Sequence, residues 1–140
     1  MRRAAVSGPT ALVLLLVSGA AAPAESPRQF DYVCEATLTI TAQVIGTRPP
    51  PRKVTRRYSV DLDRNLWCWN DDACQDTAGP IARVTDDEIV FLDSPERQFT
   101  IRRRDGKLAF TVPALQTTRG TCRLETFTPI TGSGADSPHP

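Results

Sequence analysis

The chain has 140 residues, with 17 basic against 16 acidic side chains and 40 % hydrophobic residues, which fits one globular domain and excludes a disordered, highly charged one. The charges nearly cancel, so no whole-molecule field favours a nucleic-acid partner. The only histidine, His139, is the penultimate residue, which leaves a Ser-His-Asp set, a Cys-His pair or a mixed zinc site without a folded imidazole.

The first stretch reads as a secretory signal peptide over 1–24. Arg2 and Arg3 make its positive start, Ala11 to Val17 its apolar run, and Ala22-Pro23-Ala24 a small-residue cleavage site. That run is too short to span a bilayer, and no later segment approaches the roughly 20 apolar residues a spanning helix needs. No cysteine near the cleavage site could take a lipid anchor, so a secreted or periplasmic protein is expected, with a formal net charge of −1 once the two leader arginines are gone.

Phe30 to Val44 alternates with period two. Phe30, Tyr32, Cys34, Ala36, Leu38, Ile40, Ala42 and Val44 fall on one side, and Asp31, Val33, Glu35, Thr37, Thr39, Thr41 and Gln43 on the other, the pattern of a long half-buried strand. Gly46 to Lys53 carries three consecutive prolines that cannot donate to a ladder, hence a stiff loop. Val54 to Leu62 alternates again. A two-residue turn at Arg64-Asn65 would pair Leu62 with Trp67 and Val60 with Trp69 and send both tryptophans into the core, whereas a turn one residue longer would make them an outward platform for a carbohydrate or a protein. The core register is preferred, because a small β domain needs large rings opposite branched apolar side chains.

Asp61, Asp63, Asn65 and Asp72 are spaced like an EF-hand calcium loop, but Leu66 stands where the sharp turn requires glycine, so no metal is expected. Short strands follow at Pro80 to Val84 and Glu88 to Leu92. Asp105-Gly106 then predicts a type I′ hairpin pairing Ile101 with Phe110 and Phe99 with Val112, with Arg102, Arg104 and Lys107 exposed. Arg119 to Phe127 reads as the closing strand, with Cys122 and Leu124 on one face. The β domain is expected over 25–128 and a disordered tail over 129–140.

Four cysteines in an exported chain predict two disulfides. Of the three pairings, Cys68 with Cys74 and Cys34 with Cys122 are favoured, the first closing a tight loop and the second tying the first strand to the last. Without a C-x-x-C pair, neither redox catalysis nor a cysteine zinc site is expected. The fold class is therefore all-β, an antiparallel meander of seven or eight strands forming a small barrel or half-open sandwich, filled by Leu38, Ile40, Val60, Leu62, Trp67, Trp69, Phe91, Phe99, Ile101, Leu108 and Phe110.

An exported chain of this size with Tyr32-x-Cys34 on its first strand and a late Cys122 resembles small bacterial periplasmic β proteins, among them the C-type lysozyme inhibitors. The resemblance implies a plugged barrel that binds another protein. The inhibitors' Ser-Gly-Ser-Gly-Ala-x-Tyr type loop is not carried over, since the nearest string, Gly132-Ser133-Gly134-Ala135, lies in the tail and lacks the tyrosine. The functional expectation is a non-enzymatic, monomeric protein-binding or inhibitor-type module without a cofactor; the alternative is a carrier of a small apolar ligand inside the barrel. Asn70, Asp71, Asp72, Gln75 and Asp76, in or beside the loop closed by Cys68 and Cys74, form the candidate contact for a basic protein partner, because a fixed acidic tip loses little entropy on binding.

Overall fold

The computed structural model describes residues 19–22, 25–43, 45–69, 74 and 79–130. The expected leader over 1–18 with residues 23 and 24, the acidic tip residues Asn70, Asp71, Asp72, Gln75 and Asp76, and the tail from 131 onward lie outside them.

Nine strands form one sheet: β1 (Gln29–Ile40), β2 (Arg52–Asp61), β3 (Leu66–Trp69), β4 (Gly79–Pro80), β5 (Arg83–Val84), β6 (Glu88–Asp93), β7 (Gln98–Arg102), β8 (Lys107–Val112) and β9 (Gln116–Glu125). Every pairing is antiparallel, in the order β4-β3-β2-β1-β9-β8-β7-β6-β5. The all-β expectation holds, with β4 and β5, of two residues each, raising the count to nine. The long first strand is central, held by β2 on one side and β9 on the other.

The sheet is strongly curled. Tyr58 on β2 and Phe99 on β7 are four strands apart, roughly 19 Å in a flat sheet, yet their ring centroids are 4.8 Å apart. Trp67 on β3 and Phe91 on β6 are six strands apart and 5.1 Å centroid to centroid. Only Ile81 and Ala82 separate the edge strands β4 and β5, so the edges lie within roughly 11 Å of chain. The result is a half-barrel whose concave face is filled with rings: Phe91 stacks on Phe99 at 4.5 Å, and Phe99 also meets Trp67 and Phe110. Ile89, Phe91, Phe99, Ile101 and Val60 are 1 % exposed or less. Of the predicted interior set, Ile40, Leu62 and Trp69 are only half-buried, while Phe30, Tyr32, Tyr58, Ile81 and Ile89 join the core.

Both predicted hairpin registers are corrected by two residues. The β2–β3 loop has four residues, so Val60 faces Trp67 and Tyr58 faces Trp69. The Asp61 carboxylate accepts the Asp63 and Arg64 N–H groups, and Asn65 takes φ 55°. The β7–β8 loop is likewise four residues long, pairing Phe99 with Phe110 and Ile101 with Leu108; of its two expected I′ positions only Gly106 has positive φ, 68°. A shift of two leaves every side chain on its predicted face, so the tryptophans point inward. Gly106 is required twice over. Its φ suits glycine, and a Cβ there would stand 2.1 Å from the Cys122 carbonyl oxygen, whose residue donates its N–H to Gly106 at 2.8 Å.

The first strand stops at Ile40, short of Val44, because the Thr41 and Ala42 N–H groups both turn to the Leu115 carbonyl. Cys34 and Cys122 sit directly opposite on β1 and β9 and are bonded, as are Cys68 and Cys74, which bears out both pairings.

Candidate functional site

Of the sequence-predicted contact loop, Cys74 and Cys68 are described, and the five polar residues are not. The alternative aromatic platform is excluded for Trp67, which is buried, with Nε1 donating to the Pro80 carbonyl at 3.2 Å.

A groove runs along one end of the half-barrel, and sequence reasoning missed it. It consists of two depressions of about 380 and 480 Å³ that share Ser26, Pro27, Asp86 and Arg103. The first is walled by Phe30, Tyr32, Arg104 and Leu124, the second by Arg28, Leu62 and Val84. Local structure fixes its rim. The Arg103 N–H donates to the Asp87 carbonyl at 2.8 Å and its Nη1 to the Thr85 carbonyl at 2.9 Å, tying the β7–β8 loop to the β5–β6 turn. Arg28 pairs with Asp63 on the opposite rim. Burial pushes the Tyr32 hydroxyl above its ordinary pKa, and the charge of Arg103 partly offsets this. Leu124 was expected on one face of the closing strand with Cys122. It does lie beside Tyr32 in register, yet it is 53 % exposed because the curl leaves this end open. Val84 is 42 % exposed, so two of the four large exposed apolar side chains among the described residues stand in this groove. The run Arg102-Arg103-Arg104 was the available signal, but its three residues diverge: Arg102 turns to the sheet's outer face and pairs with Asp105, and Arg103 and Arg104 face the groove.

On the convex side, a segment following β9 crosses the outer face of β1 to β3. Asp31, fully buried there, accepts the Thr128 N–H at 3.0 Å, the Thr128 hydroxyl at 2.7 Å and Arg57 Nε at 2.7 Å. Burial alone would raise its pKa; the hydrogen bonds from Thr128, Arg57 and Ser59 outweigh burial and hold the carboxyl below the usual range. Arg57 is shared with Glu125 at 3.0 Å. Beyond Thr128, Ile130 is buried against the Cys68–Cys74 bridge with Leu66 and Phe127, so the domain boundary expected at 128 falls inside a packed segment.

Among the described residues, no group of three or more His, Cys, Asp and Glu could hold a metal ion, and no helix is long and apolar enough to cross a membrane. No protein-family model, curated protein or solved structure matches this chain.

Proposed function

We propose that this protein is an exported, non-enzymatic binding module that engages another protein through the groove at the open end of its half-barrel. One observation carries the reading: the concave interior is occupied by interlocked rings, while Val84 and Leu124 stand exposed beside Arg103 and Arg104 in a rigid groove. Exposed apolar side chains rimmed by charge mark a docking surface, because only an incoming partner removes them from water. A carrier would need an empty chamber where Phe91, Phe99 and Trp67 are packed. The two disulfides fit an oxidising compartment outside the cytoplasm. Inhibition of a lysozyme, the action of the inhibitors this chain resembles in export, size and cysteine placement but not in their inhibitory loop, is one form such binding could take, and a lysozyme assay with added protein examines it directly.

The test is a pull-down from cell-envelope extract and host secretions with the oxidised mature chain, beside a Val84→Asp, Leu124→Asp variant. Both side chains are exposed, so the variant keeps its thermal midpoint. The reading expects a protein captured by the native chain and lost by the variant; equal capture by both would move the interface elsewhere. The acidic tip from Asn70 to Asp76 is proposed as a second contact for a basic partner, and Asp71→Lys with Asp72→Lys should slow association at low salt.

A further inference from the structure

The convex face of β7, β8, β9, β1 and β2 carries a feature that the groove does not explain. Strand registers align Thr100, Ala109, Arg119, Thr37 and Lys53 in one row across five strands. The adjacent row runs from Lys107 through Thr121 to Glu35 and Thr55, with Arg102 across the hairpin from Lys107 and the Glu35 carboxylate accepting the Thr55 hydroxyl at 3.0 and 3.1 Å. Neighbouring strands are roughly 4.8 Å apart, so Lys53 and Arg119, which flank Thr37, stand roughly 10 Å apart. Arg119 and Lys107 are diagonal neighbours, with Cβ atoms roughly 7–8 Å apart. Between them Ala109 and Gly120 leave a shallow trough of about 360 Å³, lined also by Thr100, Arg102 and Lys107 and by no acidic residue.

The cations differ in how they are engaged. Arg102 is held by Asp105 through two bonds of 2.9 and 2.6 Å. Lys53 donates to the Thr37 hydroxyl at 3.1 Å, and Arg119 and Lys107 are exposed with no acidic ion-pair partner among the described residues. The side chains between them are threonines, Ala109 and one carboxylate, Glu35, which is engaged by the Thr55 hydroxyl. None of the large exposed apolar residues, Ile45, Val84, Leu115 or Leu124, lines the trough.

We propose that this face binds an acidic polysaccharide, a chain of uronate or sulfate-bearing sugars laid across the strands with its anions on Lys53, Arg119 and Lys107 and its hydroxyls on Thr37, Thr100 and Thr121. Cations spaced at intervals along a flat, hydroxyl-rich row match a ligand whose charges recur along a chain. A protein partner or a bilayer would call for exposed apolar anchors, and the one large apolar side chain lining the trough, Leu108, is buried. Attraction is mostly ionic, so it is salt-sensitive in the manner of polyanion binding, where each neutralised charge releases a counterion.

The test uses the oxidised mature chain with polygalacturonate and dextran sulfate as probes, neutral dextran, phosphatidylglycerol vesicles and a DNA duplex as comparisons, and isothermal titration at several salt concentrations. Binding to at least one acidic glycan is expected, weakening roughly 10- to 40-fold between 50 and 200 mM NaCl for two to three contacts. The Lys107→Glu, Arg119→Glu variant should lose at least tenfold in affinity, and Lys107→Arg with Arg119→Lys should retain it. An unchanged circular dichroism spectrum and melting midpoint confirm that the Glu variant is folded. Equal binding to neutral dextran, no binding to either acidic glycan, tighter binding to vesicles or duplex, or an undiminished Glu variant would each overturn the proposal.

Discussion

The two faces of β1, β2 and β3 are held by different physics. Their concave face joins the ring core, where Tyr58, Trp67 and Phe99 are stabilised by apolar area removed from water, a term indifferent to pH. Around Asp31 and Cys68 their convex face is covered by residues 126–130 and is held by the ionised Asp31 carboxylate, its bonds from Thr128 and Arg57, and a few apolar side chains around Cys68 and Cys74. Each face also has its own disulfide: Cys34–Cys122 belongs to the core and Cys68–Cys74 to the outer patch. The lesson is that one sheet can carry a side indifferent to pH and a side that answers to proton state, while each side depends on a bridge of its own.

The disulfides separate the two faces most sharply. Replacing Cys34 and Cys122 together with Ala should cost about 4–5 kcal/mol, because the bridge closes a loop with a sequence separation of 88 and holds adjacent strands. Replacing Cys68 and Cys74, separated by 6, should cost about 2–3 kcal/mol. Urea denaturation of the oxidised variants measures both, and a larger loss from the short bridge would contradict the ranking.

Within the core, Phe99→Ala removes the ring that meets Tyr58, Trp67, Phe91 and Phe110. A loss of about 3–5 kcal/mol is expected, uniform across probes of the whole fold. A loss below about 1 kcal/mol would mean that the interior is loosely filled.

The outer patch should respond to acid. Asp31 has its pKa lowered on folding, so its contribution is fully present above the unfolded value of about 3.9 and disappears as the pH falls through the depressed folded value. Asp31→Asn should cost about 1–3 kcal/mol at neutral pH, and progressively less relative to the native chain below about pH 4. Asp105 is also lowered, by Arg102 first and then by the Lys107 N–H and nearby positive charge, but it is exposed, and Asp105→Asn serves as the control with little effect. Equal acid sensitivity of native and Asp31→Asn chains would remove Asp31 from the account.

How far the sequence was legible follows from the same contrast. The concave face repeats every second residue, so alternation put Phe30, Tyr32, Cys34 and Ala36 on one side of the strand with the interior residue Leu38 without any knowledge of their neighbours. Hairpin loops were misjudged, because Asn65 and Gly106 each end a four-residue loop instead of forming half of a two-residue one, but the even error left the faces intact. The convex cover was not legible. Asp31 meets Thr128 across 97 residues, and nothing local distinguishes it from a solvated strand carboxylate. The only hints were Val33 on the polar side of β1 and Phe127 and Ile130 in an otherwise polar end. The groove escaped for a related reason: periodicity puts Leu124 on the inner face but cannot say that the curl stops short of covering it.

Native mass spectrometry of the protein purified from its native source tests most directly whether the half-barrel acts through its outside. A filled interior predicts the mass of the oxidised polypeptide alone, with two disulfides and no adduct under conditions that preserve noncovalent complexes. A stoichiometric small apolar molecule that stays bound to the folded chain and is released on unfolding would contradict it.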